Sequence, residues 1–289
     1  MKLPVKNLIA LILSLLLWGT SFPAMKLAIN ANPPMVILFY RYLFAFAIAV
    51  FILLAKYRRQ VGELFRCKQL FLLGVFNFLG SVLQFSGIAK TSSTKTAILT
   101  QLMVVVVPVF AYFLLKERLN LQKTLAIVLS LAGAVMLSTN LDFSGLWQRS
   151  SVVGDTLNIL AVFFWALFIV FTRKLTQRAA AFWLLLANVS IVFPLSGLAV
   201  VPGGSFSITV PGIVLSLFLA VFCTVLPTLL YSFALRRIDA TTSAIIGPIE
   251  IVSAVGLSML LLGERLTGIG LLGSALIVVS IYIVDTQKR

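Results

Sequence analysis

The sequence predicts an all-α polytopic membrane protein, with ten transmembrane helices arranged as two inverted five-helix repeats. The first observation behind this prediction is composition: 61% of the 289 residues are hydrophobic, 11% are charged, and the mean hydropathy is +1.10. Soluble domains are roughly 45–50% apolar and about 25% charged, so this chain has too little polar surface for water. The second observation is a series of apolar runs, each about 20 residues long and able to cross a hydrocarbon core of roughly 30 Å.

The third observation is an internal repeat, because the chain matches itself without a gap when it is shifted by 147 positions. Trp18 then falls on Trp165, and the segment 114–119 falls on 261–266. A unit with an odd number of spans crosses the membrane in opposite senses in its two copies. Inverted repeats of this kind are typical of secondary transporters, whose binding site can face either side.

Short connections with turn chemistry separate the predicted spans, such as the Asn- and Pro-containing segment 30–34 and Pro-Gly-Gly at 202–204. The first repeat is expected to cover residues 1–142 and the second 148–289. No connection is long enough for a separate soluble domain, so the function is expected to lie within the membrane. The spans are predicted at 7–29, 34–55, 68–89, 93–115, 122–140, 152–174, 180–201, 211–235, 240–262 and 266–284.

The basic residues predict the orientation of the chain. Of 23 lysines and arginines, 17 fall on the side of the N-terminus, five fall on the other side, and Arg41 lies within the second span. The positive-inside rule therefore places both termini in the cytoplasm of a multi-pass protein of the cell (inner, cytoplasmic) membrane. The net charge of +15 is spread over short loops, which argues against a nucleic-acid partner and leaves the lipid bilayer as the surroundings.

The residue types argue against metal and covalent chemistry. The chain has no histidine and two cysteines, Cys67 and Cys223, so no metal site, no cofactor and no Cys/His nucleophile are predicted. The four aspartates lie near loops, and no Ser/Lys or paired-Asp arrangement lies within a span. An intramembrane enzyme is therefore a weak alternative, and the protein is not expected to be an enzyme.

Two ionisable residues within predicted spans are the main candidates for substrate recognition, because buried charges in membranes are costly. Arg41 can hold a substrate carboxylate, or it can form a structural ion pair or snorkel to the headgroups. Glu250 follows Gly247-Pro248, which can interrupt a helix. It can face a cavity and bind a cation or a proton, or it can simply favour the start of the next helix segment.

Further polar and aromatic residues within spans either line a cavity or join helices to one another. Trp18 and Trp165 are preferred because they recur at equivalent positions, and Asn188 is the repeat equivalent of Arg41. Thr100 is a further polar residue within a span. The predicted substrate-binding set is Trp18, Ser21, Tyr40, Arg41, Asn77, Gln84, Gln101, Trp165, Asn188, Tyr231 and Glu250.

Glu117 and Glu264 occupy equivalent positions at the ends of two spans. Inversion places them at opposite membrane faces, so a single coupling-ion site cannot use both. Capping of the following helix is the expected role.

The motifs at these positions resemble the drug/metabolite transporter superfamily, and specifically its EamA-type ten-span proteins. The motifs are Trp18-Gly-Thr-Ser-Phe22, Arg41, the run 99–109 leading to Lys-Glu-Arg at 116–118, and Glu250 followed by Gly-Glu-Arg at 263–265. The resemblance covers the whole chain. It implies a central cavity lined by the first, third, fourth, sixth, eighth and ninth spans, and transport of small organic solutes such as amino acids, frequently outward. Family members often have proline after the glutamate of the ninth span, where this chain has Ile251, so the position of the helix break stays open.

The leading functional hypothesis is a secondary transporter, most simply an exporter of small organic metabolites such as amino acids. It would work by alternating access around a midplane cavity, with protons as the candidate coupling ion. An uncoupled facilitator and a lipid-head-group flippase are the alternatives that keep the same architecture.

Overall fold

A computed structural model describes residues 3–56, 68–91, 93–139, 141–142, 152–253, 256 and 267–286 of the chain. This part is helical and contains no β-strand. Nine of its helices are long and apolar enough to cross a membrane, and Ala240–Ser253 is a shorter apolar helix. The helices are α1 Val5–Ile29, α2 Pro34–Lys56, α3 Lys68–Lys90, α4 Ser93–Thr100 and Met103–Leu115, α5 Leu121–Thr139, α6 Val152–Leu175, α7 Ala181–Val200, α8 Val210–Ala234, α9 Ala240–Ser253 and α10 Gly268–Asp285.

The nine long helices begin and end within two residues of the predicted spans. The prediction for the ninth span, 240–262, is matched by a helix as far as Ser253, and its remainder falls largely outside the described residues. Cys67, Glu264 and Arg265 also lie outside them, as does the connection 143–151 between the two predicted repeats.

Pairs of helices from opposite halves of the chain pack closely, most extensively α3 on α6 and α5 on α10. At the α5–α10 crossing, Gly133 and Gly273 let the two backbones touch. A Cβ atom at Gly133 would lie 2.6 Å from the carbonyl oxygen of Gly273, and one at Gly273 would lie 2.7 Å from that of Gly133. Small residues allow such close approach where lipid supplies no hydrophobic drive for association.

Both α4 and α9 are interrupted near their middles. The two interruptions share tight i→i−3 bonds at equivalent positions, Val104 N to Gln101 O at 2.9 Å and Ile251 N to Pro248 O at 3.0 Å. The predicted break at Gly247-Pro248 is therefore present, and a second one occurs 147 positions earlier. Interrupted helices free polar backbone, which membrane proteins tolerate where it lines a cavity or is buried in protein.

Candidate functional site

The two interruptions border a central cavity of about 80 Å³. Such a space holds several waters or a small organic group. Seven helices contribute to its wall: α1, α3, α4, α6, α8 and α9, as the family resemblance implies, and also α2 through Arg41. The lining residues are Leu15, Trp18, Ser21, Phe22, Arg41, Gln84, Thr100, Gln101, Met103, Val104, Trp165, Phe168, Ile169, Tyr231, Ser243, Ala244, Gly247 and Glu250.

Most of the predicted substrate-binding set meets at this cavity. The eight members that line it are Trp18, Ser21, Arg41, Gln84, Gln101, Trp165, Tyr231 and Glu250. Tyr40, Asn77 and Asn188 lie elsewhere. Tyr40 points outward, where its hydroxyl donates to the Phe206 carbonyl at 3.2 Å.

Asn77 and Asn188 form a buried polar junction between α3 and α7. The Asn77 amide donates to the Asn188 side-chain oxygen at 2.7 Å and to the Tyr42 hydroxyl at 3.0 Å. Ser81 completes the junction, since its hydroxyl lies 3.4 Å from the Asn77 side-chain oxygen. These contacts match the helix-joining alternative for the two asparagines.

Arg41 is 7% exposed and is held by uncharged acceptors. Its Nε donates to the Thr224 hydroxyl and its Nη2 to the Cys223 carbonyl, both at 2.8 Å, while Nη1 lies 3.9 Å from the Met25 sulfur. Within the described part of the chain no carboxylate pairs with it. The guanidinium therefore carries an uncompensated charge at the cavity wall.

Glu250 is the acidic residue of the cavity wall and is 6% exposed. Its backbone N–H bonds to the Gly247 carbonyl at 3.0 Å, in the turn that follows the interruption of α9. Its carboxylate makes no hydrogen bond or ion pair with any described residue, so Arg41 and Glu250 are not joined. The helix dipole favours a carboxylate at the start of a helix. The dipole is not a charged partner, so the Glu250 carboxylate stays unpaired.

Aromatic rings form a large share of the apolar wall. Trp18 lies against Tyr231, with ring centroids 4.8 Å apart. The Tyr231 hydroxyl lies 3.0 Å from that of Ser243, which donates its own proton to the Ala240 carbonyl, so Tyr231 is the donor to Ser243. The indole N–H of Trp165 is buried without a hydrogen-bond partner in the described structure.

The wall is built from equivalent positions of the two halves. Six pairs separated by 147 positions line it: Trp18 with Trp165, Ser21 with Phe168, Phe22 with Ile169, Gln84 with Tyr231, Thr100 with Gly247, and Met103 with Glu250. The shape-forming tryptophans are duplicated, but the carboxylate is present in one half only. The cavity is therefore pseudo-symmetric in shape and asymmetric in charge.

The lining residues that the predicted set left out include Met103, Phe168 and Ser243. The repeat contains a signal that finds two of them, because Met103 is equivalent to Glu250 and Phe168 to Ser21. Ser243 lies in the repeated segment 241–245, but nothing in the surrounding sequence distinguishes it from a serine that packs between helices.

The expectation that Glu117 caps the following helix is wrong, although its carboxylate does cap a helix. Its carboxylate accepts from the backbone N–H groups of Ala240 and Thr241 at 3.0 Å, and from the Thr241 hydroxyl at 2.8 Å. It therefore caps α9 in the other half of the chain. The following helix, α5, is capped by Asn120, whose side chain accepts from the Lys123 N–H at 2.9 Å.

An ion pair lies beside this cap. The Lys123 ammonium and the Asp239 carboxylate are 3.0 Å apart, and Asp239 also accepts from the Thr242 N–H at 2.8 Å. Burial alone would raise the pKa of Asp239, but the Lys123 charge and the Thr242 hydrogen bonds outweigh burial, so the pKa lies below its usual value. The start of α5 and the start of α9 are thus tied together.

The fold and the cavity define a class: a polytopic helical membrane protein with a small central site lined from both halves of the chain. The model of the EamA-like transporter family matches residues 5–139 and 152–285, and the chain belongs to that family. Family and relatives alike are described as transporters.

Two relatives and one solved structure are similar to the chain over most of its length. An Archaeoglobus fulgidus protein described as "Uncharacterized transporter" is 26% identical over 291 residues, covering 98% of this chain and 88% of its own. A Salmonella typhimurium protein, "Probable amino-acid metabolite efflux pump", is 25% identical over 286 residues, covering 94% and 92%. A solved structure titled "Crystal structure of protein" has a TM-score of 0.79 at 18% identity and covers 97% of this chain and 96% of its own, which shows a shared fold alone.

Proposed function

We propose that the protein is a secondary transporter that exports small zwitterionic metabolites, such as amino acids, by alternating access around the central cavity. The observation that carries this proposal is the pair of opposite charges at the cavity wall. Arg41 and Glu250 are both more than nine-tenths buried, and neither has a charged partner in the described structure. A buried charge is costly until it is paired, and a solute with a carboxylate and an ammonium group compensates both.

The aromatic wall suits the apolar part of such a solute. Trp18, Trp165 and Tyr231 offer ring faces and edges, and the unpaired indole N–H of Trp165 supplies one hydrogen-bond donor. A mostly apolar wall with a few placed polar groups is the usual composition of a small-molecule site. The name of the Salmonella relative agrees with this substrate class.

Repeat-related contacts support the proposal of two inverted five-helix units, 1–142 and 148–289, that form ten spans. Lys26 near the end of α1 donates to the Ile88 carbonyl at the end of α3. At positions 147 further along, Arg173 donates to the Leu235 carbonyl just past the end of α8. The same cation-to-carbonyl contact is thus made once in each half, which is expected if the halves share one fold.

The charge distribution supports the proposed topology, with both termini in the cytoplasm and the chain in the cell inner membrane. Inversion then places the Lys123–Asp239 pair near the cytoplasmic face and the Lys95–Asp155 pair, 2.6 Å apart, near the external face. Each ion pair joins the two halves of the chain. Rocking between the halves would exchange such contacts as the cavity opens to one side or the other.

Proton coupling is proposed to run through Glu250. The carboxylate is unpaired in the described structure, so either a proton or a cationic substrate group can neutralise it. Competition between the two for one carboxylate couples their movements in opposite directions. A Glu250→Gln variant keeps the size of the side chain and removes this competition.

The test is flux in proteoliposomes that contain the purified protein. We expect radiolabelled L-leucine to exchange faster than in protein-free vesicles, and Arg41→Gln and Glu250→Gln each to lower that rate. Ser216→Ala is the matched control, because this buried serine of α8 has no hydrogen-bond partner among the described residues and does not line the cavity. Absence of exchange for every zwitterion of a panel, with correctly folded protein, would refute the proposal.

A proton ionophore separates coupled transport from the two alternatives. Export driven by protons collapses when the ionophore is added, whereas an uncoupled facilitator continues to equilibrate the same solute. A lipid-head-group flippase would instead move a fluorescent phospholipid between leaflets, which the same vesicles report. We propose no enzymatic activity.

A further inference from the structure

Helix α8 contains a π-helical turn at the point where Arg41 meets it. The turn covers Val221–Val225, and the Leu226 N–H bonds to the Val221 carbonyl five residues earlier. Single π-helical turns inside α-helices occur frequently at functional sites, because they leave some backbone groups without an intrahelical partner.

Pro227 explains why a carbonyl is available here. In a regular α-helix the Cys223 carbonyl would accept from the N–H of residue 227, but proline has none. The Cys223 carbonyl instead accepts from Nη2 of Arg41 at 2.8 Å. A buried carbonyl that has lost its helical donor thus gains a charged one.

Thr224 supplies the second contact, and its geometry is fixed by the same turn. Its hydroxyl donates to the Leu219 carbonyl at 3.0 Å. Since a hydroxyl has one proton, its oxygen is left as an acceptor toward Nε of Arg41, which lies 2.8 Å away. Two adjacent residues of α8 therefore hold two donors of the guanidinium, which sets the direction in which the rest of the group faces.

The repeat shows that this junction is made once with a charge and once without. Arg41 corresponds to Asn188, and Thr224 corresponds to Asn77, and these two asparagines are also in contact, at 2.7 Å. Pro227 corresponds to Gly80, and α3 is an uninterrupted α-helix over Lys68–Lys90. The arginine, the proline and the π-helical turn thus occur together at one of the two repeat-related junctions and are absent together from the other. Only the charged junction reaches the cavity.

We infer that Thr224 and the Cys223 carbonyl, presented by the π-helical turn before Pro227, are the positioning groups that aim the Arg41 guanidinium into the cavity and make one end of it selective for an anionic group. The selectivity rests on the proposed function, in which Arg41 meets a substrate carboxylate. The positioning stands on the contacts themselves. The Asn77–Asn188 junction is the uncharged counterpart that joins helices without recognising a solute.

The first experiment tests the positioning without any ligand. Arg41→Gln, Thr224→Val and the double variant are compared by thermal unfolding in detergent. Because the two side chains share a hydrogen bond, the double variant is expected to lower the unfolding midpoint by clearly less than the two single shifts combined. Additive shifts would overturn the positioning role, whatever the protein transports.

The second experiment tests selectivity with two probes that differ in a single charge, L-leucine and L-leucinamide. Binding is followed by quenching of tryptophan fluorescence, since Trp18 and Trp165 line the cavity. Thr224→Val is expected to reduce the preference for L-leucine about tenfold, the usual effect of one hydrogen bond to a charged group. Thr224→Ser restores the hydroxyl and should restore the preference, and Ser216→Ala should leave it unchanged.

The outcomes of the two experiments are distinguishable. If the wild-type protein fails to prefer L-leucine but the variants are non-additive, the carboxylate assignment of the proposed function fails and the positioning holds. If the wild type prefers L-leucine and Thr224→Val keeps the full preference, the selectivity role of Thr224 is wrong. If Thr224→Ser behaves as Thr224→Val does, the hydroxyl is not the positioning group.

Discussion

Replacement of Glu117 by alanine tests how strongly the two halves of the chain are tied together at the start of α9. The carboxylate accepts three hydrogen bonds, two of them from the backbone N–H groups of Ala240 and Thr241. Glu117→Ala leaves both N–H groups without their acceptor, and each loss costs about 1–3 kcal/mol when the donor is buried. With partial replacement by water, the expected loss is about 3 kcal/mol.

The assay is thermal unfolding of the purified protein in detergent. A loss of about 3 kcal/mol corresponds to a fall in the unfolding midpoint on the order of 5 °C. Thr241→Val removes only the hydroxyl contact and should cost about 1 kcal/mol. Gln122→Ala, an exposed substitution near the same end of α5, is the control. If Glu117→Ala unfolds at the same temperature as this control, the cap contributes nothing to stability and the reasoning is refuted.

Three further predictions concern pH, packing and coupling. The pKa of Asp239 is lowered in the folded state. Its contribution to stability is therefore complete above the unfolded pKa of about 3.9 and is lost as the pH falls through the folded pKa. A pH series of unfolding midpoints should show a loss of stability in acid that Asp239→Asn abolishes, and an unchanged loss in the variant would contradict this. Gly133→Val places a side chain against the Gly273 carbonyl. It should lower the free energy of unfolding by at least the roughly 1–3 kcal/mol typical of overpacking, and Gly273→Val should do so by about as much. A Gly133→Val protein with the wild-type unfolding midpoint would show that α5 and α10 separate easily. Glu250→Gln should make the rate of solute exchange independent of pH between about pH 5 and 8, and a wild-type pH profile in the variant would exclude Glu250 as the proton-binding group.

The positions of the long helices followed from the sequence because hydropathy is a local property. Nine apolar runs became helices with ends within two residues of the prediction, since twenty apolar residues between turn-forming segments leave the backbone no other way to satisfy its hydrogen bonds in lipid. The break in α9 was also readable, because Gly247-Pro248 interrupts a helix through its own covalent structure. Its counterpart in α4, at Gln101, carried no such residue and was found only in the structure.

Within the site, the sequence by itself determined which residues are polar at mid-span and which of them recur after 147 positions. Eight of the residues chosen on this basis line one cavity in the structure. The tertiary structure alone decided the partners: Arg41 binds α8 rather than Glu250, Asn77 meets Asn188 away from the cavity, and Glu117 caps a helix of the other half. The physical reason is that successive residues of a helix point about 100° apart, so the partner of a side chain depends on how each helix is rotated against its neighbours. That rotation is set by close packing between segments far apart in the chain, such as the glycine contact between α5 and α10, and no local pattern records it.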